Sequence, residues 1–118
     1  MKAYEILGYE PVNSTKSDKV NDIAESIKNN GWIGCPILTW GNTLVTGSHR
    51  LAALNKLDNE GIDISNLDCA VDVTELIDEA IAKFEKENEY IPDIDYSSIG
   101  WLFEGTWVEK YKNEIAEW

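Results

Sequence analysis

Residues 44–54 read LVTGSHRLAAL, and this stretch decides how we expect the chain to fold. It opens like a short apolar strand, breaks at a Gly-Ser pair and continues like a helix. Gly47 lets a ligand approach the backbone closely, and Ser48 is a residue type that caps helices. The only histidine and the only arginine of the chain, His49 and Arg50, lie side by side at the start of this predicted helix.

A helix N-terminus presents backbone N–H groups and the positive end of the helix dipole, so it favours anions. An arginine at that end adds a positive charge and a fork of hydrogen-bond donors. The stretch therefore predicts an anion or phosphate site formed by Gly47, Ser48, His49 and Arg50. On these residues alone, a simpler interpretation is equally good, in which Ser48 only caps the helix and Arg50 lies in solvent.

Length and composition predict one domain over residues 1–118, since 118 residues can bury a core and 43% of them are apolar. We expect a cytoplasmic protein without a membrane span, because no apolar run is long enough and the N-terminus lacks a signal-peptide pattern. Cys35 and Cys69 are expected as reduced, buried thiols, and their spacing predicts no metal site.

Charge is divided unevenly along the chain. Residues 1–57 carry five acidic and six basic side chains, whereas residues 58–118 carry seventeen acidic and four basic ones. The first half therefore has a net charge of +1 and the second half one of −13, which together give −12 for the whole chain. Such a surface repels nucleic acid and anionic membranes, so we do not expect direct nucleic-acid binding. It suits a basic partner, although acids that only keep the protein soluble would look the same.

The other elements follow from periodicity. Loose alternation predicts a first strand within residues 2–12, and apolar side chains at helical spacing predict a helix that Ser17 caps and that ends near Asn29. The further predicted elements are strand 36–40, a two-residue hairpin turn at 41–42, strand 43–46, helix 49–57, strand 69–73 and a helix over 75–87 that Thr74 caps.

Two features of the second half concern its surface. Helix 75–87 has an apolar stripe that we expect to be buried: Leu76, Ile77, Ala80, Ile81 and Phe84. Residues 91–118 are predicted as an acidic, aromatic-rich helical extension, with helical turns within 97–103 and a last helix over 107–117 that Thr106 caps. Its rings are expected to pack back on the domain, with a partner-binding surface as the alternative.

The order of these elements resembles the ParB/sulfiredoxin superfamily. One matching segment is residues 20–38, with its IAESI helix, Gly31 and a Pro-Ile-Leu strand; the other is residues 46–54. In the second segment, residues 47–50 (GSHR) resemble that superfamily's Gly-x-His/Arg-Arg box, and residues 69–73 resemble its next strand. The resemblance covers residues 3–80 and implies an α/β (α+β) fold, a small mixed sheet with surrounding helices.

In this superfamily the box wraps nucleotide phosphates, so the resemblance implies a nucleotide site in which Gly47, Ser48, His49 and Arg50 bind the phosphates and Thr46 supports them. Members of the superfamily include CTP-hydrolysing partition proteins, free-serine kinases, nucleases and sulfiredoxin. The cofactor stays open, with a nucleotide and magnesium as the candidate. Ser48 stands where sulfiredoxin has its reactive cysteine, which argues against sulfiredoxin chemistry. The segment after residue 80 is short and acidic, so we do not expect centromere binding. Arg50 also stands alone, where the family has an arginine-rich clamp.

Whether the chain is an enzyme is left open by the sequence. Glu25, Asp72 and Glu75 are the candidates for a general base or a metal ligand, but no spacing singles them out. Asp72 is expected to be an ordinary exposed acid, and Glu75 a charge that favours the start of its helix.

The alternative function is that of a non-enzymatic, acidic interaction protein, of the kind that phages use to inhibit a host or defence protein. Its partner would be a basic host protein, with nucleic-acid mimicry as a minor variant. The residues predicted to contact that partner are Asp78, Glu79, Glu85, Trp107, Glu109 and Trp118.

Overall fold

The structure is a computed structural model that describes residues 1–11, 14–92 and 99–111. Short 3-10 helices lie at Ala3–Glu5 and Trp107–Tyr111. The helices and strands between them are α1 (Ser17–Asn30), β1 (Ile37–Trp40), β2 (Thr43–Thr46), α2 (Ser48–Asn59), β3 (Ala70–Asp72), α3 (Thr74–Asn88) and α4 (Ile99–Leu102). Within the described residues, no helix combines the length and the apolar composition that crossing a membrane requires.

The strands form a three-stranded mixed sheet in the order β2-β1-β3. β1 pairs with β2 in antiparallel fashion and with β3 in parallel fashion. The predicted hairpin turn is confirmed, because Gly41 has a φ of 62° and Trp40 pairs with Thr43 across the turn. The predicted fold class, α/β (α+β) with a small mixed sheet and surrounding helices, is confirmed.

Two apolar cores lie on opposite faces of the sheet. Ile37 and Leu38 are neighbours on β1, so their side chains point to opposite faces, and each belongs to a different core. The first core packs α1 and α2 against the sheet and includes Ala24 and Leu54. The second core packs α3, α4 and the C-terminal 3-10 helix against the other face. The sheet is thus a middle layer between two helical layers.

The predicted N-terminal strand is wrong. Ala3–Glu5 form a 3-10 helix instead, and only Lys2 forms an isolated bridge, to Asp68. Ala3 and Ile6 are both fully buried, and a spacing of three places two side chains on one side of a helical turn rather than on one face of a strand. Val12, the last residue of the predicted alternation, lies outside the described residues.

Three predicted caps are also wrong by one position. Ser17, Ser48 and Thr74 are the first helical residues, so the caps are the residues before them. At the start of α3, a side chain outside the helix accepts a hydrogen bond from the first backbone N–H: Thr74 donates to Asp72 Oδ1 over 2.9 Å.

The C-terminal extension is described only in part. Helical turns predicted within 97–103 are present as α4, whereas residues 93–98 and 112–118 lie outside the described residues. Thr106 caps the following 3-10 helix as predicted, because its Oγ1 accepts a hydrogen bond from the N–H of Val108 over 3.3 Å. The predicted helix over 107–117 is therefore tested only to Tyr111, where the structure has a 3-10 helix.

Candidate functional site

The predicted phosphate site lies where β2 passes into α2. Gly47 joins them with a φ of 106°, a conformation that L side chains rarely adopt. A Cβ atom on Gly47 would also lie 2.9 Å from Cγ1 of Ile37, well inside normal contact. Packing against the sheet therefore explains this glycine without a ligand.

His49 is 7% exposed and connects the starts of two helices. Its Nε2 accepts a hydrogen bond from the backbone N–H of Lys16 over 3.1 Å. The preceding residue, Ser48, is 1% exposed. His49 thus positions α2 against α1 through a buried hydrogen bond.

Arg50 is half-buried, and its described contacts point into the protein. Nη1 donates hydrogen bonds to the carbonyl oxygens of Ile33 over 2.8 Å and Cys35 over 3.2 Å. The guanidinium also lies over the ring of Trp32, 5.1 Å from its centroid, which is a cation–π distance. Arg50 thereby fixes the loop between α1 and β1, so the interpretation in which it only lies in solvent does not fit these contacts.

Two buried polar atoms lie beside the box. Within the described residues, neither the Oγ1 of Thr46 nor the Nε1 of Trp32 has a hydrogen-bond partner. Thr46 is 5% exposed and directly precedes Gly47, whereas Trp32 stacks on Arg50. Leaving a buried hydroxyl or indole N–H without a partner is costly, and such groups often complete their bonding with water or a ligand.

The three candidate acids lie in different settings. Glu25 accepts a hydrogen bond from Asn29 one turn along α1, and Glu75 is exposed in the first turn of α3. In the described part of the chain, no group of three His, Cys, Asp or Glu residues is placed to hold a metal ion.

Asp72 is exposed as predicted, but it is not an ordinary exposed acid. Its carboxylate accepts hydrogen bonds from the hydroxyl of Thr39 over 3.1 Å, from the N–H of Gly41 over 3.0 Å and from the N–H of Thr74 over 2.9 Å. Partial burial would raise the pKa of Asp72, but the hydrogen bonds from Thr74, Thr39 and Gly41 outweigh it and lower the pKa. Asp72 therefore joins the hairpin turn to the start of α3.

The two thiols are placed as predicted. Cys35 and Cys69 are both buried, and neither forms a disulfide. Burial raises the pKa of the Cys69 thiol to about 11, which keeps it protonated and chemically inert at neutral pH.

The residues predicted to contact a partner are spread over the α3 side. Asp78, Glu79 and Glu85 are exposed on α3, and Trp107 is 40% exposed beside Tyr111. Glu109 instead accepts a hydrogen bond from the N–H of Gly105 over 2.7 Å, which gives it a structural role. Trp118 lies outside the described residues.

Sequence reasoning missed two features of these surfaces. Trp32 was not singled out, although a tryptophan just after the glycine that ends a helix is a signal for a packed loop. It also missed a groove of about 720 Å³ beside α3, whose lining includes Phe84 and Trp101. The only hint of that groove is the apolar stripe of α3, which reads in sequence like that of a fully covered helix.

Comparison with protein-family models, with curated proteins and with solved structures finds no match for this chain. The resemblance to the ParB/sulfiredoxin superfamily therefore stays a prediction.

Proposed function

We propose that this protein binds a phosphate-bearing ligand, with a nucleotide as the first candidate, at the junction of β2 and α2. The observation that carries the proposal is the hydroxyl of Thr46, which is buried and has no hydrogen-bond partner among the described residues. Its position next to the N-terminus of α2 makes a ligand oxygen a suitable partner, because helix N-termini attract anions.

The charge at this end of α2 supports an anion. The first turn of α2 contains no acidic residue, so nothing within it offsets the positive end of the helix dipole. Arg50 lies in that same turn, and its carbonyl and ring contacts hold the guanidinium in one orientation. A fixed cation loses less conformational freedom on binding than a mobile one.

Four side chains in and beside the box then have defined parts. The Thr46 hydroxyl and the Trp32 indole N–H would donate to ligand oxygens, and Arg50 would supply charge. His49 would act as a positioning residue, because its Nε2 already accepts the N–H of Lys16. The proposal concerns binding rather than turnover, since the contacts of Glu25 and Asp72 and the exposed position of Glu75 on α3 give no support to a catalytic base at this site.

The test compares Thr46→Val with wild type in a thermal-shift panel of ATP, ADP, CTP, GTP and inorganic phosphate, each with and without magnesium. Valine matches threonine in shape, and removing a hydroxyl that has no partner should leave the unliganded protein equally stable or more stable. A ligand at about a hundred times its Kd should raise the stability of wild type by about 2.7 kcal/mol. We expect Thr46→Val to lose most of that shift, because a hydrogen bond to a charged oxygen contributes about 1.5–3 kcal/mol.

Thr46→Ser is the matched control, because it keeps the hydroxyl and should keep the shift. Arg50→Ala is less suitable for this test, since it also removes the contacts to Ile33 and Cys35. No shift with any ligand, or an equal shift in Thr46→Val, would contradict the proposal.

A further inference from the structure

The apolar stripe of α3 is only partly covered, contrary to the sequence prediction. α3 has fifteen residues, and Ile77 is the only one that is fully buried. α2, by comparison, buries six of its twelve residues. The other four members of the predicted stripe are only half-buried: Leu76, Ala80, Ile81 and Phe84. α3 therefore presents apolar surface that the described part of the domain covers only in part.

That surface forms one wall of the groove of about 720 Å³, and the other wall comes from α4 and the loop that follows it. Apolar side chains of Leu76, Phe84 and Trp101 line it, and the carboxylates of Glu79, Glu87 and Glu104 are exposed along it. Lys83 is also among the lining residues, so carboxylates outnumber it three to one.

Aromatic rings extend the apolar surface at one end of the groove. Phe84 packs on Trp101 with 5.1 Å between ring centroids and on Tyr90 with 5.3 Å between centroids. Tyr90 is nevertheless 60% exposed, and its neighbour Ile91 is 69% exposed. Aromatic side chains held by neighbours but open to solvent are the usual anchors of protein interfaces.

We propose that this groove binds an amphipathic segment of a partner protein, one that carries apolar side chains together with lysine or arginine. The apolar side chains would contact Leu76, Phe84 and Trp101, and the cations would pair with the carboxylates along the groove. Charge selects this occupant: a second copy of the chain would bring another −12 against the same acids, and nucleic acid would be repelled as well. The proposal is independent of the phosphate site.

The test is a selection from a random peptide library displayed on phage, with the whole protein as the target. We expect the enriched peptides to combine Leu, Ile or Phe with Lys or Arg. A synthetic copy of one such peptide should bind wild type, and the double variant Glu79→Lys with Glu87→Lys should weaken its affinity at least tenfold. Raising the salt concentration should weaken binding to wild type as well.

The matched control is Asp18→Lys with Asp22→Lys, which makes the same charge change on exposed positions of α1. It should lower the affinity far less than the groove variant, and circular dichroism should show both variants folded. The proposal is overturned if no peptide is enriched, if the enriched peptides lack basic residues, or if both double variants weaken binding equally. It is also overturned if light scattering gives the mass of a dimer for wild type and of a monomer for the groove variant, since a second copy would then occupy the groove.

Discussion

The two faces of the sheet differ in how they use polar residues. On the α1/α2 face, His49 and Arg50 are turned inward and bond to backbone groups of distant segments. On the α3/α4 face, the charged side chains remain in solvent and apolar surface is left open beside them. A conspicuous motif and a conspicuous charge imbalance thus lead to opposite structural outcomes. The motif is mostly internal framework, whereas the described acidic residues of α3 lie on an open surface.

The largest effect should come from Gly47→Ala, which attacks the framework of the α1/α2 face. The alanine must adopt a φ of 106°, and its Cβ must lie 2.9 Å from Cγ1 of Ile37. Backbone strain and overpacking together should lower the free energy of unfolding by about 4 kcal/mol. Urea unfolding followed by circular dichroism measures this loss.

Gly61→Ala is its control, because Gly61 also has a positive φ, of 80°, but a Cβ there would meet nothing within 4 Å. It should lower stability by only about 1 kcal/mol. Equal losses at the two glycines would mean that the contact with Ile37 is not what requires Gly47.

Arg50→Ala should have the next largest effect. The substitution removes two hydrogen bonds from a charged donor and the stacking on Trp32. Together these should lower the free energy of unfolding by about 3 kcal/mol. Lys56→Ala removes an exposed cation from the same helix, where Lys56 pairs with Glu60 one turn away, and should have little effect. A small loss in Arg50→Ala would show that Arg50 is not part of the framework.

Asp72→Asn should have the smallest effect and tests how the sheet is joined to α3. Because the folded-state pKa of Asp72 is lowered, its carboxylate stabilises the fold at every pH above the ordinary pKa of aspartate, about 4. This stabilisation is lost as the pH falls through the lower pKa of the folded state. The variant should lose about 1 kcal/mol at neutral pH, a small loss since the carboxyl faces solvent. Wild type and variant should converge in acid.

Urea unfolding between neutral and acidic pH checks this dependence. Asp78→Asn, on the exposed surface of α3, removes the same charge and serves as the control. A difference between wild type and Asp72→Asn that persists unchanged into acid would mean that the carboxylate is not the source of the effect.

Local patterns predicted most of the secondary structure. The turn at Gly41 and the helical spacing in α1 depend on neighbouring residues, so the sequence displays them directly. The N-terminal strand was predicted wrongly because the loose alternation over residues 2–12 was given more weight than the spacing of three between Ala3 and Ile6, which is typical of a helical turn. Each missed cap lies one residue from its prediction, which is within the normal uncertainty of helix ends.

The candidate site was harder to predict, because its contacts join distant residues. Lys16 and His49 are 33 positions apart, and Arg50 lies 17 positions from Ile33. Residue types at 44–54 favour an anion site but cannot reveal that two of them are turned inward. The groove was missed for a related reason: the spacing of an apolar stripe says which side chains share a face, not whether another element covers that face.

Binding of a phosphate-bearing ligand at the start of α2 is tested most directly by the indole N–H resonance of Trp32. The chain has five tryptophans, so an ¹H–¹⁵N spectrum offers five such resonances, which single substitutions can assign. During titration with CTP, ATP or inorganic phosphate, in the presence of magnesium, we predict a shift of the Trp32 resonance together with the backbone amides of residues 46–51, while the Trp101 resonance stays in place. Spectra that do not change, or that change at Trp101 and α3 instead, would contradict binding at the start of α2.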